Sequence, residues 1–152
     1  LGFDLTPPTP AELTRLEADL TDEEREVLLH HGTEAPFCGG LLANKTDGVY
    51  ACRLCGLPLF QARSKFFAPI DPGHVRAVTD ASFGMVRIET RCARCDSHQG
   101  HVFPDGPPPT GLRYCINSVS LSFTAAGQPL PDPLGRGDRS PGAGEAAPGV
   151  AT

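Results

Sequence analysis

GHVFPDGPPPTGLRYCINSVSLSF, running from Gly100 to Phe123, is the stretch on which the fold turns. It reads as a strand, a rigid Gly/Pro turn, a second strand and a third, apolar strand. Within it, Arg113-Tyr114-Cys115-Ile116-Asn117 alternates polar and apolar residues with period two. Successive side chains of a strand face opposite ways. Arg113, Cys115 and Asn117 therefore share one face, and Tyr114 and Ile116 share the other. By the same rule His101, Phe103 and Asp105 line one face of the preceding strand. A cation, a thiol, an amide and an imidazole meet on one hairpin, which makes Cys115 the candidate reactive thiolate.

Such a thiolate needs positive charge nearby and access to solvent or substrate. Arg113, two residues away on the same face, supplies charge. His98 and His101 flank Gly100, where the turn brings one or both towards the thiol to orient a polar oxygen or act as an acid. Asn117 adds an amide donor. A single strand cysteine is commonly buried and inert; the Arg-x-Cys-x-Asn alternation together with the histidine pair outweighs that reading.

Of the six cysteines, four form two matched pairs, Cys52-x-x-Cys55 and Cys92-x-x-Cys95. Each pair offers two sulfurs to one metal, and zinc takes four such ligands in a closed, structural tetrahedron. The 36 residues between Cys55 and Cys92 exceed the spacing of about 15 to 20 usual in a zinc ribbon. One metal would thus tie together two hairpins rather than make an independent finger. A thioredoxin-type dithiol is the competing reading, against which stand two symmetric pairs and no following helix. Thiols used in this way point to a reducing compartment, the cytoplasm, rather than to a framework of disulfides.

At 152 residues the chain is expected to form one domain. Its net charge of −5 argues against nucleic-acid partners, which call for a basic stripe. No apolar run approaches the roughly 20 residues that span a bilayer, so no membrane role is expected. The first residues lack a signal-peptide pattern, and a start at Leu1 rather than Met leaves an upstream segment open.

Residues 1–9 read as an extended leader. Thr9-Pro10-Ala11-Glu12 and Thr21-Asp22-Glu23-Glu24 are two capping boxes, opening short helices to about Leu20 and His31. His30 and His31 sit at a helix C-terminus, where imidazolium is favourable. Cys38, followed by Gly39-Gly40, lies in a loop and is poorly placed as a core residue. Val49–Cys52 and Leu57–Phe60 flank the first cysteine pair as strands. Val75–Thr79 reads as an edge strand, and Gly84–Arg91 alternates into Cys92, with Met85 expected in the core. Residues 10–126 form the domain, and the Gly/Pro-rich segment 127–152 is expected to be disordered.

Gly100–Pro107, Thr110–Ser118 and the two cysteine pairs together resemble the B-type methionine-R-sulfoxide reductases (the SelR domain). The resemblance runs from about Leu20 to Phe123 and takes in Gly32-Thr33-Glu34 and Gly84-Met85. It implies a mainly β fold of two coiled antiparallel sheets with short N-terminal helices, pinned by a four-cysteine zinc site. It also implies reduction of methionine-R-sulfoxide, free or in oxidised proteins, by a monomer. The family's catalytic cysteine falls on Cys115, its histidines on His98 and His101, its asparagine on Asn117 and its arginine on Arg113; Asp105 matches a polar position near the site. The resemblance further implies a sulfenic acid on Cys115, a resolving thiol for which Cys38 is the candidate, and recycling by thioredoxin.

One departure stands out. The family carries a Trp-bearing loop between Lys65-Phe66 and Phe67-Ala68-Pro69-Ile70, and this chain has no Trp. If the loop is deleted, Phe66 or Phe67 becomes the substitute wall; an intact mass near 16.1 kDa marks that case. Such a deletion would favour a degenerate reductase fold or a non-catalytic zinc-knuckle module that binds protein. A zinc hydrolase is less favoured still, because four cysteine ligands leave no coordination position for water.

Overall fold

The computed structural model describes residues 3–30, 46–62, 68–81, 84–106, 108 and 110–135. The leader and both capping boxes precede two helices, α1 (Pro10–Ala18) and α2 (Asp22–His30). At α1, Glu12 N–H donates to Thr9 Oγ1 while Thr9 N–H donates to Glu12 Oε1. Thr21 and Glu24 repeat the exchange before α2. His31 and Cys38 lie outside the described residues.

Among the described residues seven strands follow: β1 (Gly48–Cys52), β2 (Pro58–Gln61), β3 (Val75–Asp80), β4 (Arg87–Cys92), β5 (His98–Phe103), β6 (Arg113–Ile116) and β7 (Leu121–Ala125). They form two antiparallel sheets, one in the order β2-β1-β7 and one in the order β3-β4-β5-β6. This is the mainly β architecture of two antiparallel sheets expected from the sequence, with β3 at an edge. The third apolar strand of the opening stretch leaves its hairpin. After β6, a 3-10 turn over Ser118–Ser120 carries the chain across to pair with β1.

The core lies where the sheets meet. Tyr50, Leu57, Leu59, Phe60 and Leu28 are fully or almost fully buried, and the Phe60 ring of one sheet meets Tyr114 of the other edge-on at 5.4 Å. Tyr114 is thus the inward partner that the alternation required, leaving Cys115 on the outward face. Ser120 staples the sheets again: its carbonyl accepts from Arg53 N–H and its hydroxyl donates to the His98 carbonyl.

One expectation needs correction. Met85 is not in the core but half exposed, and Val86 is 77% exposed. The strand begins only at Arg87, because Gly84 adopts a left-handed conformation (φ 71°) that breaks the extended run before it. The leader runs extended along the domain, with Phe3 packed edge-on against His74 and the Asp4 carbonyl accepting from Arg94. At the other end Leu134 is buried and the Pro133 carbonyl accepts from Arg15. The Pro133 ring and the Pro131 carbonyl lie directly over Gly56, where a side chain would not fit.

His74 ties the region before β3 to the other sheet. Its Nδ1–H donates to the Pro58 carbonyl at 2.6 Å. Burial pushes its pKa down, and the Pro58 carbonyl and Asp71 pull it only partly back. The folded state therefore binds this proton less readily than the unfolded chain. The stabilisation is complete above the unfolded pKa of about 6.5, and it is lost as pH falls through that value towards the lower folded one. We expect urea midpoints to fall between pH 7.5 and 5.5 by more in the wild type than in His74→Asn. Parallel losses in the two proteins would contradict this.

Candidate functional site

Two copies of one local device build the metal centre. β1 ends at Cys52 and β4 at Cys92. In each turn the amide after the second cysteine donates back to the first cysteine's carbonyl, Gly56 to Cys52 and Asp96 to Cys92, both at 2.9 Å. The residue in that position must be left-handed: Gly56 has φ 82° and Asp96, the only non-glycine of that kind among the described residues, has φ 64°. The chain then returns, with Cys52 N–H donating to Leu57 and Cys92 N–H to Ser97.

The two turns bring all four sulfurs within 4.8 Å of one another. Cys52 and Cys95 stand 3.6 Å apart and Cys55 and Cys92 3.5 Å apart. These distances are far too long for a disulfide of about 2.05 Å. They are close to the edge of about 3.8 Å implied by a tetrahedron with metal–sulfur bonds of about 2.3 Å. The donor set fits a thiophilic ion in other respects as well. Ser97 Oγ lies 3.1 Å from Cys95 Sγ and 3.4 Å from Cys52 Sγ. The buried guanidinium of Arg94 donates to the Cys55 carbonyl at 2.6 Å, placing a cation beside four groups that become anionic when they ligate. The four cysteines can hold one metal ion, and they hold two sheets together in doing so.

The second centre begins three residues beyond Cys95, where β5 opens at His98. β5 and β6 pair with His101 opposite Cys115 and Phe103 opposite Arg113. Direct cross-strand partners have Cβ atoms about 4.5–5.5 Å apart, so the imidazole and the thiol are neighbours on one face. Gly100 permits this approach, since a Cβ there would lie 2.0 Å from the Cys115 carbonyl oxygen. Cys115 itself is exposed.

His98 and His101, three apart, would fall on opposite faces of a regular strand. A β-bulge changes that: Thr90 pairs with Gly100 but Arg91 pairs with His98, leaving Gln99 as an extra residue. The two rings come to 5.6 Å on the same face. His98 Nδ1–H donates to Glu89 Oε2 at 2.6 Å, and His101 Nε2–H donates to Asp80 Oδ2 at 2.8 Å. Each carboxylate commits one ring nitrogen as a donor and fixes the plane of its imidazole. Asn117 follows on from β6 and is held at Gln99, whose carbonyl accepts both its backbone N–H (2.8 Å) and its Nδ2–H (3.3 Å).

Arg113 does something other than face Cys115 alone. Its Nε and Nη2 fork onto Asp105 at 2.9 and 3.2 Å, and its guanidinium lies 4.6 Å over the Phe103 ring. The guanidinium holds the Asp105 carboxyl below its ordinary range. Asp105 thus lies beside the thiol's strand through Arg113.

Glu89, Asp80 and Gln99 went unnoticed in the sequence. Glu89 sits in the alternating run before Cys92, on the face of Arg87 and Arg91, yet only the β4–β5 pairing shows that it meets His98. Its other oxygen accepts from Arg91, which also reaches Asp96 in the second cysteine turn.

Residues 20–125 match the SelR domain family. The chain belongs to that family. Among its relatives, the peptide methionine sulfoxide reductase MsrB of Caulobacter vibrioides (strain NA1000 / CB15N) is 71% identical over 147 residues, covering 91% of this chain and 92% of that protein. MsrB of Xylella fastidiosa (strain M23) is 56% identical, covering 91% and 95%. MsrB of Escherichia coli (strain K12 / DH10B) is 50% identical over 118 residues, covering 72% and 86%. The 147 aligned positions exceed 91% of 152 residues, so the Caulobacter protein carries positions with no counterpart here. Residues 63–67, where the loop would join, lie outside the described residues.

Because the sulfurs bridge the sheets, removing a bound metal should cost folding stability. Complete chelation at neutral pH is expected to lower the melting temperature by about 10 °C or more, the scale set by losing a few kcal/mol in a domain of this size. Unchanged melting after verified metal loss would show that the four cysteines carry no structural ion.

Proposed function

We infer that this chain is a thiol-dependent peptide-methionine (R)-S-oxide reductase, an oxidoreductase. The observation that carries it is the exposed Cys115 thiol facing His101 across β5–β6, within the residues 20–125 that match the SelR family. Relatives that share half or more of their aligned residues with it bear the reductase name. A non-catalytic zinc-knuckle module would leave that arrangement without a use.

The chemistry follows from the residues. The Cys115 thiolate attacks the sulfoxide sulfur, and a proton from His98 or His101 goes to the sulfoxide oxygen. The oxygen passes to Cys115 as a sulfenic acid, and methionine leaves with the two electrons that the thiolate gave up. Asn117 offers its amide to the substrate, and Arg113, ordered by Asp105, keeps positive charge near the sulfur. A second thiol then displaces hydroxide from the sulfenic acid, which leaves as water, and forms a disulfide. We assign this step to Cys38, because Cys52, Cys55, Cys92 and Cys95 are gathered at the other centre. Thioredoxin, acting by thiol–disulfide exchange, returns both sulfurs to thiols.

The gathered cysteines would hold Zn²⁺, whose closed sulfur shell supplies a cross-link and no chemistry. Both free methionine-R-sulfoxide and oxidised proteins are proposed as substrates, since Cys115 opens to solvent. No helix among the described residues is long and apolar enough to cross a membrane. A monomer working in the reducing cytoplasm fits a mechanism that consumes thiols. Residues 10–126 would carry the activity, with the remaining termini dispensable for chemistry.

A thioredoxin-coupled assay with the two sulfoxide epimers tests this. The wild type should turn over the R epimer. Cys115→Ser should lose about three orders of magnitude or more. Cys38→Ser should still release methionine in a single turnover but stall with thioredoxin. Normal thioredoxin-driven turnover by Cys38→Ser would remove Cys38 from the mechanism, and turnover by Cys115→Ser would overturn the assignment itself.

A further inference from the structure

Gln99 lies between the two histidines, and its side chain points away from the thiol face into the interior. Its side chain is completely buried, which is rare for glutamine. Nε2 lies 3.0 Å from Ser97 Oγ and 3.6 Å from Cys52 Sγ. A ligating thiolate only accepts hydrogen bonds, so the amide nitrogen rather than the oxygen belongs on that side. Oε1 meets no hydrogen-bond partner among the described residues. An acceptor left unmade in the interior is costly, and a leucine of similar volume would avoid that cost. What glutamine supplies here is the donor.

The backbone of the same residue serves the other centre. Gln99 is the extra residue of the β4–β5 ladder, and its carbonyl takes both N–H groups of Asn117. On the β4 side the bulged residue lacks a ladder partner. There its side-chain contacts stand in for the missing rung, while its carbonyl faces Asn117 on the other side. We infer that Gln99 is a positioning residue: anchored by its side-chain amide on Ser97 Oγ and Cys52 Sγ at the metal centre, it aims its carbonyl at Asn117 and sets the bulge that puts His98 and His101 on one face. The metal centre is then coupled to the reductase face through one side chain.

The inference rests on the reductase reading given above, and the test separates the two. Gln99→Leu keeps the volume and removes the donor. In the metal-loaded variant, kcat should fall about tenfold with KM within about twofold, and exchange of the Asn117 backbone amide should quicken by about tenfold or more. A merely structural role would lower the melting temperature and move neither readout; wild-type kcat and Asn117 protection in metal-loaded Gln99→Leu would overturn the inference. The wild-type protein loaded with the NMR-active cadmium isotope provides a measurement that does not depend on the variant folding. A scalar coupling between the Gln99 side-chain amide proton and cadmium, through the N–H···S–metal path, is expected. Its absence would remove the anchor and the inference with it. A wild type inert on the R epimer would sink the reductase reading and leave the cadmium and exchange readouts intact.

Discussion

Four sulfurs at the ends of β1 and β4 must converge on one point, and most of the architecture answers to that constraint. Each sheet contributes one strand-turn unit, and each turn must close in the left-handed conformation that Gly56 and Asp96 adopt. Because Cys92 and Cys95 are fixed, Ser97, His98 and Gln99 emerge from the second turn at a set place and angle. The strand that bears both histidines is launched from the metal centre. Arg94 and Arg53 reinforce the same junction, Arg94 by donating to the Cys55 carbonyl and Arg53 by pairing with Glu24 of α2. The face that carries Cys115 and both histidines is therefore built next to the cysteine cluster, where a small displacement would disturb the alignment of several groups.

Charge is arranged in pairs around the exposed thiol. His98 has Glu89, His101 has Asp80, and Arg113 has Asp105. Each carboxylate holds a cationic or proton-carrying group in one orientation. The Glu89 pair is nearly inaccessible to solvent, so loss of either partner would strand the other in a low-dielectric setting. The Arg113 pair is open to solvent and weaker in energy, and its stacking on Phe103 adds the directional restraint that the ion pair lacks.

Much of this was legible in the letters, and the reasons for the exceptions are physical. Period-two alternation sets Arg113 and Cys115 apart from Tyr114, and in the ladder they pair with Phe103 and His101, whereas Asn117 lies beyond the end of β6. The two capping boxes fixed the helix starts to the residue, because capping is a local interaction. The two matched cysteine pairs announced a shared centre, and the two turns gather their four sulfurs. Strand pairing between distant segments is not local, and so Glu89 and Asp80 were invisible as partners of the histidines. The bulge at Gln99 was equally hidden: it exists only relative to β4, and without it His98 and His101 would point apart. Met85 has the apolar character of a core residue but not the position of one, because Gly84 turns the backbone before the strand begins. Leu134 was missed for the converse reason, as one apolar residue in a proline-rich segment carries no periodic signal.

The central claim is that Cys115 takes an oxygen atom from methionine-R-sulfoxide. Its most direct test is a single turnover without added reductant, quenched with an alkylating agent and followed by peptide mapping. The account predicts a single equivalent of methionine per chain from the R epimer, none from the S epimer, and Cys115 recovered in a disulfide with Cys38 while the four metal-centre cysteines remain thiols. Methionine released from the R epimer with Cys115 still fully alkylated, or no methionine released at all, would contradict it.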